Sequence, residues 1–253
     1  VRFASLGSGS RGNATLVEAA GTRVLVDCGF PLRELERRLQ GLGVCVTTLD
    51  AVLVTHEHAD HVRGLGALAR SRRLPVWMTA GTRYQGRFGH LPRLQLFSSH
   101  ESAFRVGGIS VQPFAVPHDA REPAQFVFTA GRYRFGILTD AGSVTPHIQQ
   151  SLRGCDALLL ECNHDPVMLR EGPYPPRLQA RVGGRLGHLS NQQAASLLSS
   201  LEPERMRIVV AAHLSEKNNT PALARQVLLD SCPGLEGQIA LATQHQASDW
   251  FDL

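Results

Sequence analysis

The segment Thr55-His56-Glu57-His58-Ala59-Asp60-His61 places four strong metal-ligating side chains within six residues, directly after the apolar run Ala51-Val52-Leu53-Val54. His56 and His58 are two apart, so in an extended segment their side chains point the same way. Asp60 and His61 follow where the chain is expected to turn into a helix, within reach of a second ion a few Å away. Two adjacent divalent ions activate a water and clamp both oxygens of a displacement. Three further apolar runs end on a ligand type. Residues 114–117 lead into His118-Asp119, residues 135–139 into Asp140, and residues 208–212 into His213. A single His or Asp at a strand end is usually a turn former or a satisfied polar residue. Their joint occurrence with the HxHxDH cluster points to one metal site and not to a His-rich surface turn.

Such a site needs strands that end together. Apolar alternation and turn residues predict strands at 1–6, 14–18, 23–27, 51–55, 76–78, 94–97, 104–106, 109–116, 125–130 and 133–139, with Gly131 turning a hairpin. Further strands are expected at 157–161, 208–212 and 239–242. Helices are expected at 32–40, 61–69, 145–152, 191–201 and 221–231, with Pro31 near one start, Gly41 near its end and Ser190 as an N-cap. Two halves of strands with helices between them imply an α/β (α+β) class: a four-layer αββα sandwich of two mixed β-sheets, in a single domain over 1–253. Ligand residues at strand ends are where open α/β sheets bind their ligands.

The bulk composition is compatible with this reading. With 253 residues, 43% hydrophobic and 19% charged, the chain is long enough for a large core. No apolar run approaches the length of a membrane span. The opening residues read as a strand and lack the charged and apolar regions of a signal peptide, so a cytoplasmic location is expected. The missing initiator Met leaves the true start open. Five scattered cysteines form no CxxC pair and read as buried or free thiols in a reducing compartment; Cys155 and Cys162 flank an apolar strand as packing residues. A net charge of +4, carried mostly by arginine, permits a polyanionic substrate and equally fits a high-GC genome.

The order HxHxDH, His118, Asp140, His213 resembles that of the metallo-β-lactamase superfamily over nearly the whole chain. The resemblance implies His56, His58 and His118 on a first ion, Asp60, His61 and His213 on a second, and Asp140 bridging. Zn and Mn both suit an all-nitrogen and oxygen set. Three segments point to the nuclease side of the family. Residues 157–165, with Glu161, resemble the acidic strand of tRNase Z and related DNA nucleases; Gly187-His188 and residues 189–194 resemble their GHxxxxQA segment; and His213-Leu214-Ser215 resembles their final His-x-Ser. A leaving alkoxide needs a proton, which His188 would supply with Glu161 orienting its ring, while Asp60 would hold the attacking water. The start Ser8-Gly9-Ser10-Arg11-Gly12-Asn13 and the Asn218-Asn219 pair narrow the resemblance to the YycJ/WalJ-type branch, bacterial cytosolic proteins regarded as 5′-directed DNA exonucleases. Expected substrate contacts are then Ser8, Ser10, Asn13, Ser215, Asn218 and Asn219. Gly7, Gly9 and Gly12 would turn N–H groups to a phosphate or simply make the turn.

His118 and Asp140 are only 22 positions apart, too few for the tRNA-gripping arm of tRNase Z, and Asp140 and His188 only 48 apart, too few for a β-CASP domain. Recognition must come from the core fold and short loops. The stretch 170–185 carries Arg170, Arg177, Arg181 and Arg185 and is either a nucleic-acid track or a solvated loop; Tyr174 either stacks on a base or packs on neighbouring prolines. The expected function is a dinuclear metal-dependent phosphodiesterase on nucleic acid, foremost a 5′-to-3′ DNA exonuclease. Two alternatives stand beside it: a small-molecule hydrolase of a cyclic phosphodiester, thioester or lactone, and a binding module using metal for stability. Seven candidate ligands exceed the four that a structural site needs.

Overall fold

A computed structural model describes residues 1–253. The first half of the chain builds one sheet from β1 (Arg2–Gly7), β2 (Ala14–Ala19), β3 (Thr22–Val26), β4 (Ala51–Leu53), β5 (Pro75–Thr79) and β6 (Arg93–Phe97). Helices α1 (Leu32–Gly41), α2 (Ala59–Val62), α3 (Leu65–Arg72) and α4 (Ala80–Gln85) lie between these strands. The second half builds another sheet from β7 (Phe104–Val106), β8 (Ile109–Ala115), β9 (Ala124–Ala130), β10 (Tyr133–Leu138), β11 (Ala157–Glu161), β12 (Ile208–Ala212) and β13 (Ile239–Leu241). Its helices are α5 (Pro146–Leu152), α6 (Pro166–Glu171), α7 (Pro176–Val182), α8 (Asn191–Ser199) and α9 (Pro221–Ser231). The last strand, β14 (Phe251–Asp252), returns to the first sheet beside β1.

Each seven-stranded sheet is half antiparallel and half parallel. The orders are β14-β1-β2-β3-β4-β5-β6 and β13-β12-β11-β10-β9-β8-β7. The parallel runs are β3 to β6 and β10 to β13. Strand period sets the layers. In β11, Leu158 and Leu160 face the helices α5, α8 and α9, while Ala157 and Leu159 face the other sheet. In β2, Val17 joins the inter-sheet core and Leu16 the layer under α1 and α3. Both faces of the central strands are buried, which explains their unbroken apolar runs. Phe3 and Phe135 stack between the sheets with centroids 3.9 Å apart. The architecture is the four-layer αββα sandwich of two mixed sheets expected from the sequence. Burial pushes the Cys28 thiol up to about 12 and the Cys155 thiol up to about 11.

Several local expectations are corrected. The helix expected over 61–69 is broken into α2 and α3 at Gly64, because the chain there passes the loop before α1. A Cβ on Gly64 would lie 2.0 Å from the Phe30 carbonyl oxygen. The arginine-bearing stretch 170–185 is not simply a loop: it contains the end of α6 and all of α7, each with a proline in its first turn. Ser190 caps α8 as expected, in a capping box with Gln193.

One buried cation ties the termini to the site loops. The Arg38 guanidinium donates to the carbonyls of Leu6, Gln244 and His245, pairs with Glu34 and lies 4.1 Å over the Phe30 ring. Arg38→Met strands three carbonyls and is expected to cost about 3 kcal/mol. A fall in melting temperature of roughly 6–12 °C would report it; an unchanged melting temperature would contradict this role.

Candidate metal centre

All the expected ligands arrive at one edge of the sandwich, from strand ends, the turns after them and the short helix α2. His56 follows β4, His58 starts α2, Asp60 and His61 lie on α2, His118 follows β8, Asp140 follows β10, and His213 follows β12. Two of them, Asp140 (φ 53°) and His213 (φ 54°), occupy the left-handed region, as does Asp27 (φ 62°) after β3. This backbone costs energy outside glycine and recurs where side chains are turned toward a site.

The ligand atoms form overlapping groups. His56, His58 and His118 converge, with His56 Nε2 and His118 Nε2 at 3.0 and 3.3 Å from His58 Nδ1. Asp60, His61 and His213 form a second group. Asp140 lies beside both, with Oδ2 at 3.2 Å from His61 Nε2 in a group with His56 and His61, and Oδ1 on the far side at 3.4 Å from His213 Nδ1 in a group with Glu161 and His188.

Each ring nitrogen turned away from this space is anchored. His61 Nδ1 donates to Asp27 Oδ2 at 2.7 Å, His118 Nδ1 to the Gly187 carbonyl at 3.0 Å, and His213 Nδ1 to Glu161 Oε1 at 3.1 Å. The Thr55 hydroxyl donates to Asp27 and accepts from His56 Nδ1 at 3.0 Å. Anchoring one nitrogen fixes the tautomer and leaves the other as a lone-pair donor. His58 is reversed: its Nδ1 faces the shared space and its Nε2 is 3.9 Å from Asp119.

The electrostatics call for positive charge. Burial alone would depress His61, but Asp140, Asp27 and Asp60 hold it well above the usual range. Burial likewise opposes a charge on His213, which Asp140, Asp60 and Glu161 raise to about 10. Burial, joined by the neighbouring imidazoles, pushes His56 and His118 down, leaving neutral donors. Asp140 Oδ2 and His213 Nε2 are fully buried without a hydrogen-bond partner. Unpaired buried polar atoms are costly, and cations between these groups would satisfy both. The donor set therefore fits divalent ions.

Beside this centre, buried Glu161 accepts four hydrogen bonds. Oε1 takes His188 Nδ1 at 2.8 Å and His213 Nδ1; Oε2 takes the N–H groups of Ala141 and Leu189. Burial would raise the Glu161 carboxyl, but His188 and His213 hold it down to about 2. Burial would lower His188; Glu161 outweighs it and holds the imidazole above its ordinary value. With Nδ1 anchored, His188 lines a cleft of about 350 Å³ shared with His58, Asp60, His118, Asp140 and His213.

The expected substrate contacts divide. Ser10 and Ser215 line the cleft. Ser8, Asn13, Asn218 and Asn219 are buried, so their expected role in substrate contact is revised. The Ser8 hydroxyl accepts from the His213 N–H at 2.9 Å. Asn13 accepts from the Gly9 N–H and donates to the Gly9 carbonyl, while its own N–H donates to the Asp60 carbonyl at 2.7 Å. Asn218 packs in the Ser215 turn, and Asn219 ties the Cys162 carbonyl to Asn191. These four position the ligand loops. Gly29 lets those loops close, since a Cβ there would lie 1.8 Å from the Asp60 carbonyl oxygen. Asp27 was missed, Asp119 was noted only as the neighbour of His118, and Arg181 only as one of four arginines in 170–185. The only signal for Asp27 was an aspartate at a strand end, a common turn residue.

Comparison with known proteins adds the family. A model of the "Beta-lactamase superfamily domain" matches residues 22–210. The chain is 34% identical to exodeoxyribonuclease YycJ of Bacillus anthracis, over 89% of this chain and 86% of that protein. It is 32% identical to exodeoxyribonuclease WalJ of Streptococcus pneumoniae, over 90% of this chain and 87% of that protein. The metallo-beta-lactamase fold protein YhfI from Bacillus subtilis superposes with a TM-score of 0.75 at 16% identity, covering 98% and 99% of the two chains.

Proposed function

Because the chain belongs to the beta-lactamase superfamily, in the branch of YycJ and WalJ, we propose that it is a two-metal nuclease, specifically a 5′-to-3′ exonuclease on DNA. It is a metal-dependent hydrolase of the phosphodiesterase kind. The observation that carries the nuclease reading is the buried Glu161–His188 pair opening on the cleft of the ligand groups. Hydrolysis of a phosphodiester expels a poor alkoxide leaving group, and a positioned acid is the residue such chemistry requires.

In this reading His56, His58 and His118 would hold one ion and Asp60, His61 and His213 the other, with Asp140 available to either; Zn and Mn would both suit the set. When bound, the ions would supply Lewis acidity to a water and to the phosphoryl oxygens. The side chains do the rest. Asp60 accepts a hydrogen bond from the attacking water, directs its lone pair toward phosphorus and takes the proton that the water loses. His188 gives a proton from Nε2 to the leaving oxygen as the P–O bond breaks, and Glu161 holds the resulting imidazole in place. Asp27 and Gly187 keep His61 and His118 turned inward. Asp27→Asn removes the charge behind His61, and ion affinity should fall about 10- to 100-fold, measured by competition with a chelator. Unchanged affinity would remove Asp27 from the account.

The whole chain acts as one hydrolase domain in this reading, in the cytoplasm. No helix is long and apolar enough to cross a membrane. The test is degradation of end-labelled DNA and RNA, single- and double-stranded, by metal-loaded protein. Release of nucleotides from the 5′ end of DNA supports the proposal. Hydrolysis confined to small diesters would overturn it in favour of a small-molecule phosphodiesterase.

A further inference from the structure

Among the side chains lining the cleft, Arg181 is the only arginine or lysine. It sits on α7 with its side chain 62% exposed, yet it is aimed: Nε donates to Asp119 Oδ2 at 2.6 Å, and neither terminal NH2 group has a protein partner. Asp119 is itself fixed. Its N–H donates to the Leu186 carbonyl at 3.0 Å, and its other oxygen lies 3.4 Å from His118 Nε2. The end of α7 is bolted to the loop of His188, whose N–H donates to the Val182 carbonyl at 2.8 Å. Gly187 allows this approach, since a Cβ there would lie 2.2 Å from the carbonyl oxygens of Arg181 and Val182. Half-buried Tyr174, flanked by Pro173, Pro175 and Pro176, shares the cleft and makes no side-chain hydrogen bond.

We infer that this wall is a terminal-nucleotide subsite: Arg181, aimed by Asp119, takes the 5′-terminal phosphate of the strand, and Tyr174 stacks on the terminal base. The inference rests on the nucleic-acid reading above and adds how the strand end is recognised. A guanidinium with one edge tied down and two NH2 groups free presents a fork to phosphate oxygens. Its separation from the ligand set, two contacts through Asp119, suits a neighbouring phosphate along a strand better than a second oxygen on the scissile one. A terminal phosphomonoester carries more charge than an internal diester, so the cleft's one permanent cation favours an end. Aromatic stacking adds affinity without requiring a particular base.

The test uses metal-loaded protein and one DNA sequence carrying a 5′-phosphate, a 5′-hydroxyl, or a phosphate only at the 3′ end. Nucleotide release gives kcat/KM for each strand. Fluorescence anisotropy gives Kd for matching strands whose first linkage is uncleavable. Wild type is expected to favour the 5′-phosphate by about tenfold or more in both readouts, as a charge-assisted bidentate contact allows. R181Q should bring both ratios near one, and R181K should restore only part. Melting temperature of R181Q should hold, because the side chain is exposed. Three results overturn the subsite: a wild-type ratio of one, a ratio unmoved in R181Q, or an Arg181-dependent preference for the 3′-phosphate strand. In those cases the nuclease reading survives if DNA is degraded. Failure of wild type to bind or cut any strand, while it hydrolyses bis(p-nitrophenyl) phosphate, overturns both.

Discussion

Asp60→Ala is expected to lower phosphodiester cleavage by at least about a thousandfold while the melting temperature stays within a few degrees. Asp60 is asked to do two things, to complete the ligand group with His61 and His213 and to hold the attacking water. Its side chain is 23% exposed, so truncation leaves no closed void. Its shortest contact to the loop of Asn13 is made by the backbone: the Asp60 carbonyl accepts from the Asn13 N–H at 2.7 Å, and alanine keeps that bond while losing only a longer one, 3.3 Å, from Asn13 Nδ2 to Asp60 Oδ2. Loss of rate should therefore come with loss of an ion and not with loss of fold. Metal content falling from two ions per chain toward one, with a native circular dichroism spectrum, is the expected pair of readings. His58→Ala should behave alike, through the group formed with His56 and His118. A near-normal rate in either variant would end the two-metal mechanism.

The second large effect belongs to His188. His188→Ala should reduce kcat on DNA by about 10²- to 10⁴-fold, the range for loss of a positioned general acid, with KM changed only a few-fold. His188 is partly exposed to the cleft, and its one strong protein bond is to Glu161 Oε1. Glu161 retains three other donors in the variant, from Ala141, Leu189 and His213, so its buried charge is not abandoned. The acid role has a sharper signature in the leaving group. A p-nitrophenolate departs without a proton, so the variant should lose far less on bis(p-nitrophenyl) phosphate than on DNA. Equal losses on both substrates would assign His188 to positioning. Glu161→Gln is a poorer probe. An amide there would turn an N–H group toward existing donors in a fully buried place, mixing instability with chemistry.

Much of this architecture was legible because strand ends carry unusual residues. Apolar runs ending in His118, Asp140 and His213 marked three strands and their common edge at once, and the two-residue offset of His56 and His58 required an extended segment between them. What stayed hidden depends on closure in three dimensions. Nothing local marks Asp27 as the support of His61; its role exists only because β3 and β4 are paired neighbours. Ser8, Asn13, Asn218 and Asn219 were read as substrate contacts because they stand in the two segments that carry the YycJ/WalJ-type resemblance. Burial turns them inward to hold backbone groups. The proline-dense stretch before His188 resembles a loop, yet Pro166 and Pro176 stand in the first turns of α6 and α7, where a missing N–H costs nothing. The helix break at Gly64 is set by a carbonyl more than thirty residues upstream, beyond any local pattern.

The central claim is two ions working on nucleic acid. It is tested most directly by titrating metal-free protein with Mn²⁺ or Zn²⁺ while following nucleotide release from 5′-labelled DNA, with bound metal measured in the same samples. The account predicts that release rises with the second ion per chain and is absent in Asp60→Ala at every metal concentration. Protein carrying two ions per chain that releases nothing from any DNA or RNA strand would contradict it.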